Sequence, residues 1–183
     1  GRARGSVTRG IKLMLFTPTL RATLMLQLSV AAIGPVVLVL TIPLARELLG
    51  ASESQAAGVL APFGLGSIAA ALIMPTLLPR LGLRRFMLSG CTLLIAPIAL
   101  LWPLLAASLP DAQTMVAIAA LWFVAGFGYS ATLTPIGRVV RENTRDPDLP
   151  EVFAGQFSLS HGWWIIPYPP AGWGASTRGH APP

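Results

Sequence analysis

Five stretches without a single formal charge dominate this sequence: residues 22–45, 54–79, 86–110, 112–137 and 152–177. Each runs for at least 24 residues, and a helix crosses the hydrocarbon core of a bilayer in about 20. A buried helix of a soluble domain rarely needs such length. A chain of 183 residues also has too much surface for its volume to hide all five in one core. Period-2 alternation is absent and the runs are too long for strands, whereas helices satisfy their own backbone hydrogen bonds in lipid. The predicted fold class is therefore an all-α integral membrane protein, with spans near 22–44, 56–79, 86–108, 112–136 and 152–174. Composition agrees. Apolar types make up 54% and charged types 11%, the mean hydropathy is +0.67, and soluble domains carry about 25% charged residues.

The net charge of +6 raises nucleic acid as a partner, but that requires a basic face in polar surroundings. Here the basic residues occupy short gaps between apolar runs, so no nucleic-acid partner is expected and the lipid bilayer is the main one. The N-terminal segment holds Arg2, Arg4, Arg9, Lys12 and Arg21; the gap after the second run, LLPRLGLRR, holds Arg80, Arg84 and Arg85; the gap after the fourth holds Arg138, Arg141 and Arg145. The intervening gaps carry only Arg46, beside Glu47 and Glu53, and Asp111. Basic loops stay on the cytoplasmic side. This predicts a multi-pass protein of the cell inner (plasma) membrane, with its N-terminal segment and the 80–85 loop cytoplasmic. Residues 1–21 read as a flexible basic linker and 175–183 as a polar tail. The short joint at 109–111 predicts a tight antiparallel pair. RVVRENTRDPDLPE, 138–151, is the long polar connection, with a short interfacial helix expected around Pro135–Thr144 and Pro147 and Pro150 limiting it.

Small residues recur in the second span (Ala57, Ala61, Gly64, Gly66, Ala70) and the fourth (Ala120, Ala125, Gly126, Gly128), which lets helix backbones approach closely in lipid or lets helices slide along a pathway. Pro35, Pro62, Pro75, Pro97 and Pro103 each remove a backbone donor. No acidic residue lies inside a span. His161, in VFAGQFSLSHGWWIIPYPPAGW, is the one candidate for an intramembrane titrating group. It shares a face with Ser158 and Tyr168, near Gln156, Ser160, Trp163 and Trp164. Either this span faces an aqueous cavity, with His161 binding substrate or taking a proton, or His161 is neutral and bonded to a neighbouring helix. Trp163, Trp164, Tyr168 and Trp173 form an aromatic belt in the first instance, with Trp163 deep enough to stack on a ligand. Tyr129, Gln27, Ser29, Thr132 and Thr134 are further candidates for a polar lining or for bonds within the bundle. Cys91 reads as a small buried hydrophobe. There is no GxxxxGK(S/T), CxxC, HExxH or GxSxG pattern, so neither enzymatic activity nor a cofactor or metal is expected.

At LLPRLGLRR and at 152–174 the chain resembles the C-terminal half of a major facilitator superfamily transporter. Arg80, Gly82 and Arg84 match the arginine, second glycine and last basic position of that family's cytoplasmic loop motif; Pro75, Pro79 and Leu83 stand where it has glycine, an acid and a further arginine. The five spans resemble helices seven to eleven of twelve, and the last is similar to the eleventh helix of bacterial efflux-type members. The resemblance implies a major facilitator-like helical bundle and a secondary transporter of a small molecule or ion. Transport would be coupled to an ion gradient, with efflux favoured, and would work by alternating access between two helical halves. The N-terminal half would then be a required partner, and a twelfth helix is expected where the chain reads GASTRGHAPP, so the chain is read as a fragment or frameshift, inactive alone. The competing readings are a non-transporting scaffold or subunit and a membrane-embedded enzyme.

Overall fold

The computed structural model describes the backbone of residues 2–48, 50, 52–107 and 109–165, and the side chains of these other than 2–6, 35, 36, 38, 40, 47, 48, 53, 161 and 163–165. Seven α-helices are present among them: α1 Arg2–Phe16, α2 Pro18–Pro43, α3 Glu53–Leu81, α4 Leu83–Ala106, α5 Asp111–Leu133, α6 Ile136–Glu142 and α7 Leu149–Ile165. A π-helical turn, Leu44–Leu48, extends α2, and a 3-10 turn, Asp146–Asp148, precedes α7. Three helical segments are long and apolar enough to cross a membrane: Ser54–Leu81, Leu83–Ala106 and Asp111–Glu142. A bent pair, Val7–Phe16 with Pro18–Gly34, makes a fourth if counted as one span. The fold is thus an all-α bundle consistent with a multi-pass membrane protein. The second half of the expected fifth span, 166–174, and the 175–183 tail lie outside the described residues.

One expectation changes. Residues 2–16 form a helix where glycine, serine and arginine suggested a flexible linker. The break comes one residue later. Pro18 has no N–H to give to Met14 and disfavours helical geometry at the residue before it, and α1 and α2 meet there at 98°. Pro18 is then the first residue of α2, where its missing donor costs nothing.

The chain divides into two compact units. Unit 2, Ser29–Gly137, is built around α5. Its apolar window is 39% buried, against 17% for α3 and 22% for α4, so α5 is the central helix. Glycines set the spacing on both sides of it. A Cβ at Gly66 would overlap the Phe123 carbonyl, and one at Gly126 the Phe63 carbonyl, which brings α3 and α5 backbone to backbone. On the other side a Cβ at Gly128 would overlap Leu94 N, and one at Gly90 would lie 2.8 Å from Thr132 Oγ1, which locks α4 to α5. Such contacts replace the hydrophobic drive that lipid removes. The latter half of α2 reaches the same core through its side chains, with Val30 and Val37 joining Val59, Leu94, Ile118, Trp122 and Ala125. Leu65, Ile68 and Leu72 of α3, Leu100 and Trp102 of α4, and Val116 and Phe123 of α5 remain exposed. Apolar surface of that extent suits lipid rather than water.

The start of α3 shows how sequence sets a helix end. Ser52 Oγ accepts from Gln55 N at 3.3 Å, while Gln55 Oε1 accepts from Ser52 N at 2.8 Å. This reciprocal capping box satisfies two orphan donors.

Unit 1 joins Gly1–Leu28 to Arg138–Pro183. Its contact is a crossing of α1 on α7, in which a Cβ at Gly10 would overlap the Glu151 carbonyl and one at Gly155 would sit 2.6 Å from Ile11 N. The short helix expected around Pro135–Thr144 is present as α6.

Candidate functional site

Unit 1 brings together two of the polar residues singled out in the sequence. Gln27 lies on α2 and Gln156 on α7, and Gln156 Nε2 donates to Gln27 Oε1 at 2.8 Å. Gln156 is only 9% exposed, and its Oε1 is buried with no hydrogen-bond partner. A buried acceptor left unpaired costs about 1–3 kcal/mol, so this is an incompletely satisfied polar position in an otherwise apolar pair of helices. The helix turns on either side complete their own bonds. Thr23, one turn before Gln27, donates to Thr19 O at 2.9 Å, and Ser160, one turn after Gln156, donates to Phe157 O at 3.1 Å. Each helix thus carries a neutral hydroxyl one turn from its amide, and Gln156 Oε1 is the open acceptor. Chemically such an amide pair recognises hydrogen-bonding groups and offers no fixed charge to an anion or a cation.

The other sequence candidates are placed as follows. His161 and Trp163 belong to α7, but their side chains, and Tyr168 and Trp173 altogether, lie outside the described residues. Tyr129 belongs to unit 2. It is half-buried, packs edge-on against Phe63 with ring centroids 5.6 Å apart at 60°, and would meet a Cβ at Gly34 at 3.2 Å. Thr132 is buried and donates to Gly128 O at 2.8 Å, so its hydroxyl is spent within α5.

Arg80, Gly82, Arg84 and Arg85 form the α3–α4 joint. Gly82 has φ +77° and ψ 153°, a region that only glycine adopts without strain, and its N–H caps α3 by donating to Leu78 O at 3.0 Å. The three arginines are exposed and make no ion pair among the described residues. Arg80 complements the carbonyl end of α3, but Arg84 and Arg85 sit in the first turn of α4, where the helix dipole disfavours cations by roughly 0.3–1 kcal/mol each. Helix stability therefore does not account for them, whereas their charge suits a loop held on the cytoplasmic side.

Two features escaped the sequence reading. In unit 2, Trp122 is fully buried and its Nε1 donates to Thr41 Oγ1 at 2.6 Å, tying α2 to α5. In unit 1, Leu13, Thr17, Leu20, Asn143, Thr144, Arg145, Asp148 and Val152 line a cavity of about 280 Å³ beneath the polar connection. Beside it Arg9 Nη2 donates to Asp148 Oδ1 at 2.7 Å, and Arg9 Nε stands 3.4 Å from Glu151 Oε2 without hydrogen-bond geometry. The mixed signs of 138–151 were the available signal, and its partner Arg9 lay hidden in a segment read as linker. No group of three metal-ligating side chains occurs among the described residues.

A helical bundle with several membrane-length apolar helices is the class these features define. Comparison with known protein families, with curated proteins and with solved structures gives no match.

Proposed function

We propose that this chain is part of a secondary transporter of a small solute in the cell membrane. In this reading it contributes helices to one of two halves that alternate access to a central site, in the manner of the major facilitator superfamily. The observation that carries the proposal is Gln156: nine-tenths buried, paired to Gln27 on one side and open on the other, on a helix with no charged side chain beyond Glu151. A polar position held short of full satisfaction in lipid marks a substrate or ion pathway more readily than a packing contact. Gln27 and Gln156 would contact the solute through neutral hydrogen bonds, with His161, Trp163 and Tyr168 further along the same segment as additional lining. Tyr129 on α5 is a separate candidate within unit 2. Arg80, Arg84 and Arg85 would fix the cytoplasmic face without touching solute. Export driven by an ion gradient is the favoured direction.

The test is a solute panel in cells expressing the full-length gene, with and without a proton uncoupler. Expression should lower accumulation of at least one solute, the uncoupler should abolish the effect, and Gln27→Ala or Gln156→Ala should weaken it. An accumulation profile identical to that of cells lacking the gene, for every solute, rejects the transport reading and leaves a packed membrane scaffold. A reporter fused within 80–85 should be cytoplasmic; an extracellular reporter overturns the orientation.

A further inference from the structure

We infer that α1 is an interfacial helix that binds anionic lipid headgroups, with Phe16 and Leu15 set into the bilayer boundary and Lys12 and Arg21 meeting the phosphates. The inference rests on the membrane reading of the chain. It starts from the 98° bend at Thr17. If α2 runs across the bilayer, a helix at right angles to its first turns runs along the surface. The side chains fit that placement. Met14 and Gly10 are buried on the inner side of α1, where Gly10 crosses α7. The outer side carries Thr8, Lys12, Leu15 and Phe16, all exposed, with Phe16 at 81%. A large exposed aromatic beside a lysine is costly in water and favourable at the headgroup level, where the ring enters the acyl boundary and the ammonium stays with the phosphates.

The charge of unit 1 selects the lipid. Its acidic residues Glu142, Asp148 and Glu151 are each engaged by an arginine, Arg138 or Arg9. Lys12, Arg21, Arg141 and Arg145 are exposed and make no ion pair among the described residues, where Asp146 is the only unengaged acid of the unit. Surplus cations next to a membrane attract anionic headgroups, each strengthening binding by roughly fivefold. Internal pairing of the acids and surface display of the bases is the arrangement such a partner needs.

The experiment uses the whole chain in lipid nanodiscs of phosphatidylcholine, with and without phosphatidylglycerol. A fluorophore is attached at Phe16→Cys in a Cys91→Ala background, and its quenching by aqueous and by lipid-borne quenchers is compared. Phosphatidylglycerol should shield residue 16 from the aqueous quencher, with lipid-borne quenching strongest at headgroup depth. Lys12→Gln and Arg21→Gln should each reverse that preference by roughly fivefold, and molar salt should erase it. Hydrogen exchange of residues 12–22 in the unlabelled chain should slow only with phosphatidylglycerol, which guards against an effect of the label. Equal shielding and equal exchange in both lipids overturns the inference. So does strongest quenching at bilayer-centre depth, which would make the bent pair re-entrant. A chain that fails to enter nanodiscs at all rejects the membrane reading itself, an outcome distinct from either.

Discussion

The two units differ in how completely they satisfy their buried polar groups. In unit 2 the polar side chains enclosed by α2, α3, α4 and α5 have partners: Trp122 with Thr41, Thr132 with Gly128 O, and Ser67 with both Phe63 O and Gly126 O. All three buried side-chain atoms that lack a hydrogen bond among the described residues, Thr144 Oγ1, Glu151 Oε2 and Gln156 Oε1, belong to unit 1. Native proteins keep such atoms rare and tend to concentrate the exceptions at functional positions. Unit 2 is therefore the frame whose buried polar side chains are satisfied among the described residues. Unit 1 holds the charged clamp, the cavity and the amide pair, and it carries the solute contacts proposed above.

The largest effect should come from the frame. Gly126→Ala places a methyl into the Phe63 carbonyl, a backbone atom that cannot rotate away, so α3 and α5 must separate. The expected loss reaches the top of the roughly 1–3 kcal/mol range for overpacking, measured as the midpoint shift in denaturing-detergent titration. Gly64→Ala is the control, because nothing lies within 4 Å of its Cβ position. It should be neutral, or more stable by about 0.5–1 kcal/mol because alanine is the better helix former. Equal effects at the two sites would show that the close crossing is absent, and with it the contrast between the units.

Trp122→Phe comes next. It removes the indole donor to Thr41 while keeping an aromatic ring in the core. Interhelical hydrogen bonds in membranes are worth about 0.6 kcal/mol on average and up to about 1.7. Adding the space left by the smaller ring, a loss of about 1–2 kcal/mol is expected, read in the same titration. The companion Thr41→Val, made together with Trp122→Phe, should cost no more than the loss of its own bond to Val37 O. Strict additivity of the two changes would deny the Trp122–Thr41 coupling.

These two sites also show what was legible in the sequence. The charge-free runs located α3, α4 and α5 closely: the expected 56–79 became Glu53–Leu81, extended at its start by the Ser52–Gln55 capping box. Gly82 and its arginines were visible because a short basic joint between two apolar runs has few alternatives. Gln27 and Gln156 were each visible as polar residues in apolar surroundings, but nothing in their local sequence says that they meet. The same holds for Trp122, which in an apolar run reads as any lipid-facing or belt aromatic until Thr41 is seen opposite it. Helix α1 was missed because Gly5, Ser6, Thr8 and Gly10 lower local helix propensity. What supports that helix is its crossing with α7, a contact far away in sequence that propensity does not carry.

Gln156→Leu turns the comparison from stability to activity. If the pair were structural glue, leucine should destabilise like the frame substitutions. If Gln156 is held open for solute, leucine removes an unpaired acceptor and one neutral hydrogen bond to half-buried Gln27, a cost of about 1 kcal/mol. Transport by the full-length protein should nonetheless fall roughly tenfold, the worth of one lost hydrogen bond to solute. A large stability loss with transport per folded molecule unchanged would assign the pair to packing.

The smallest effect is expected at Arg9, despite its two acidic neighbours. Its side chain is 61% exposed, so water and salt screen the pair with Asp148, and ordering a long side chain offsets part of the attraction. Arg9→Ala should cost about 0.5 kcal/mol at low salt and nothing measurable in molar salt, where charges are screened beyond about 3 Å. What then holds α1 on α7 is the backbone crossing at Gly10 and Gly155, which salt does not weaken. A cost above about 2 kcal/mol that survives salt would mean the opposite: the clamp is shielded from water and works as a buried ion pair whose loss strands Asp148 and Glu151. In that case unit 1 would share the tightness of the frame at its charged end, and the open acceptor on Gln156 would be the exception within it.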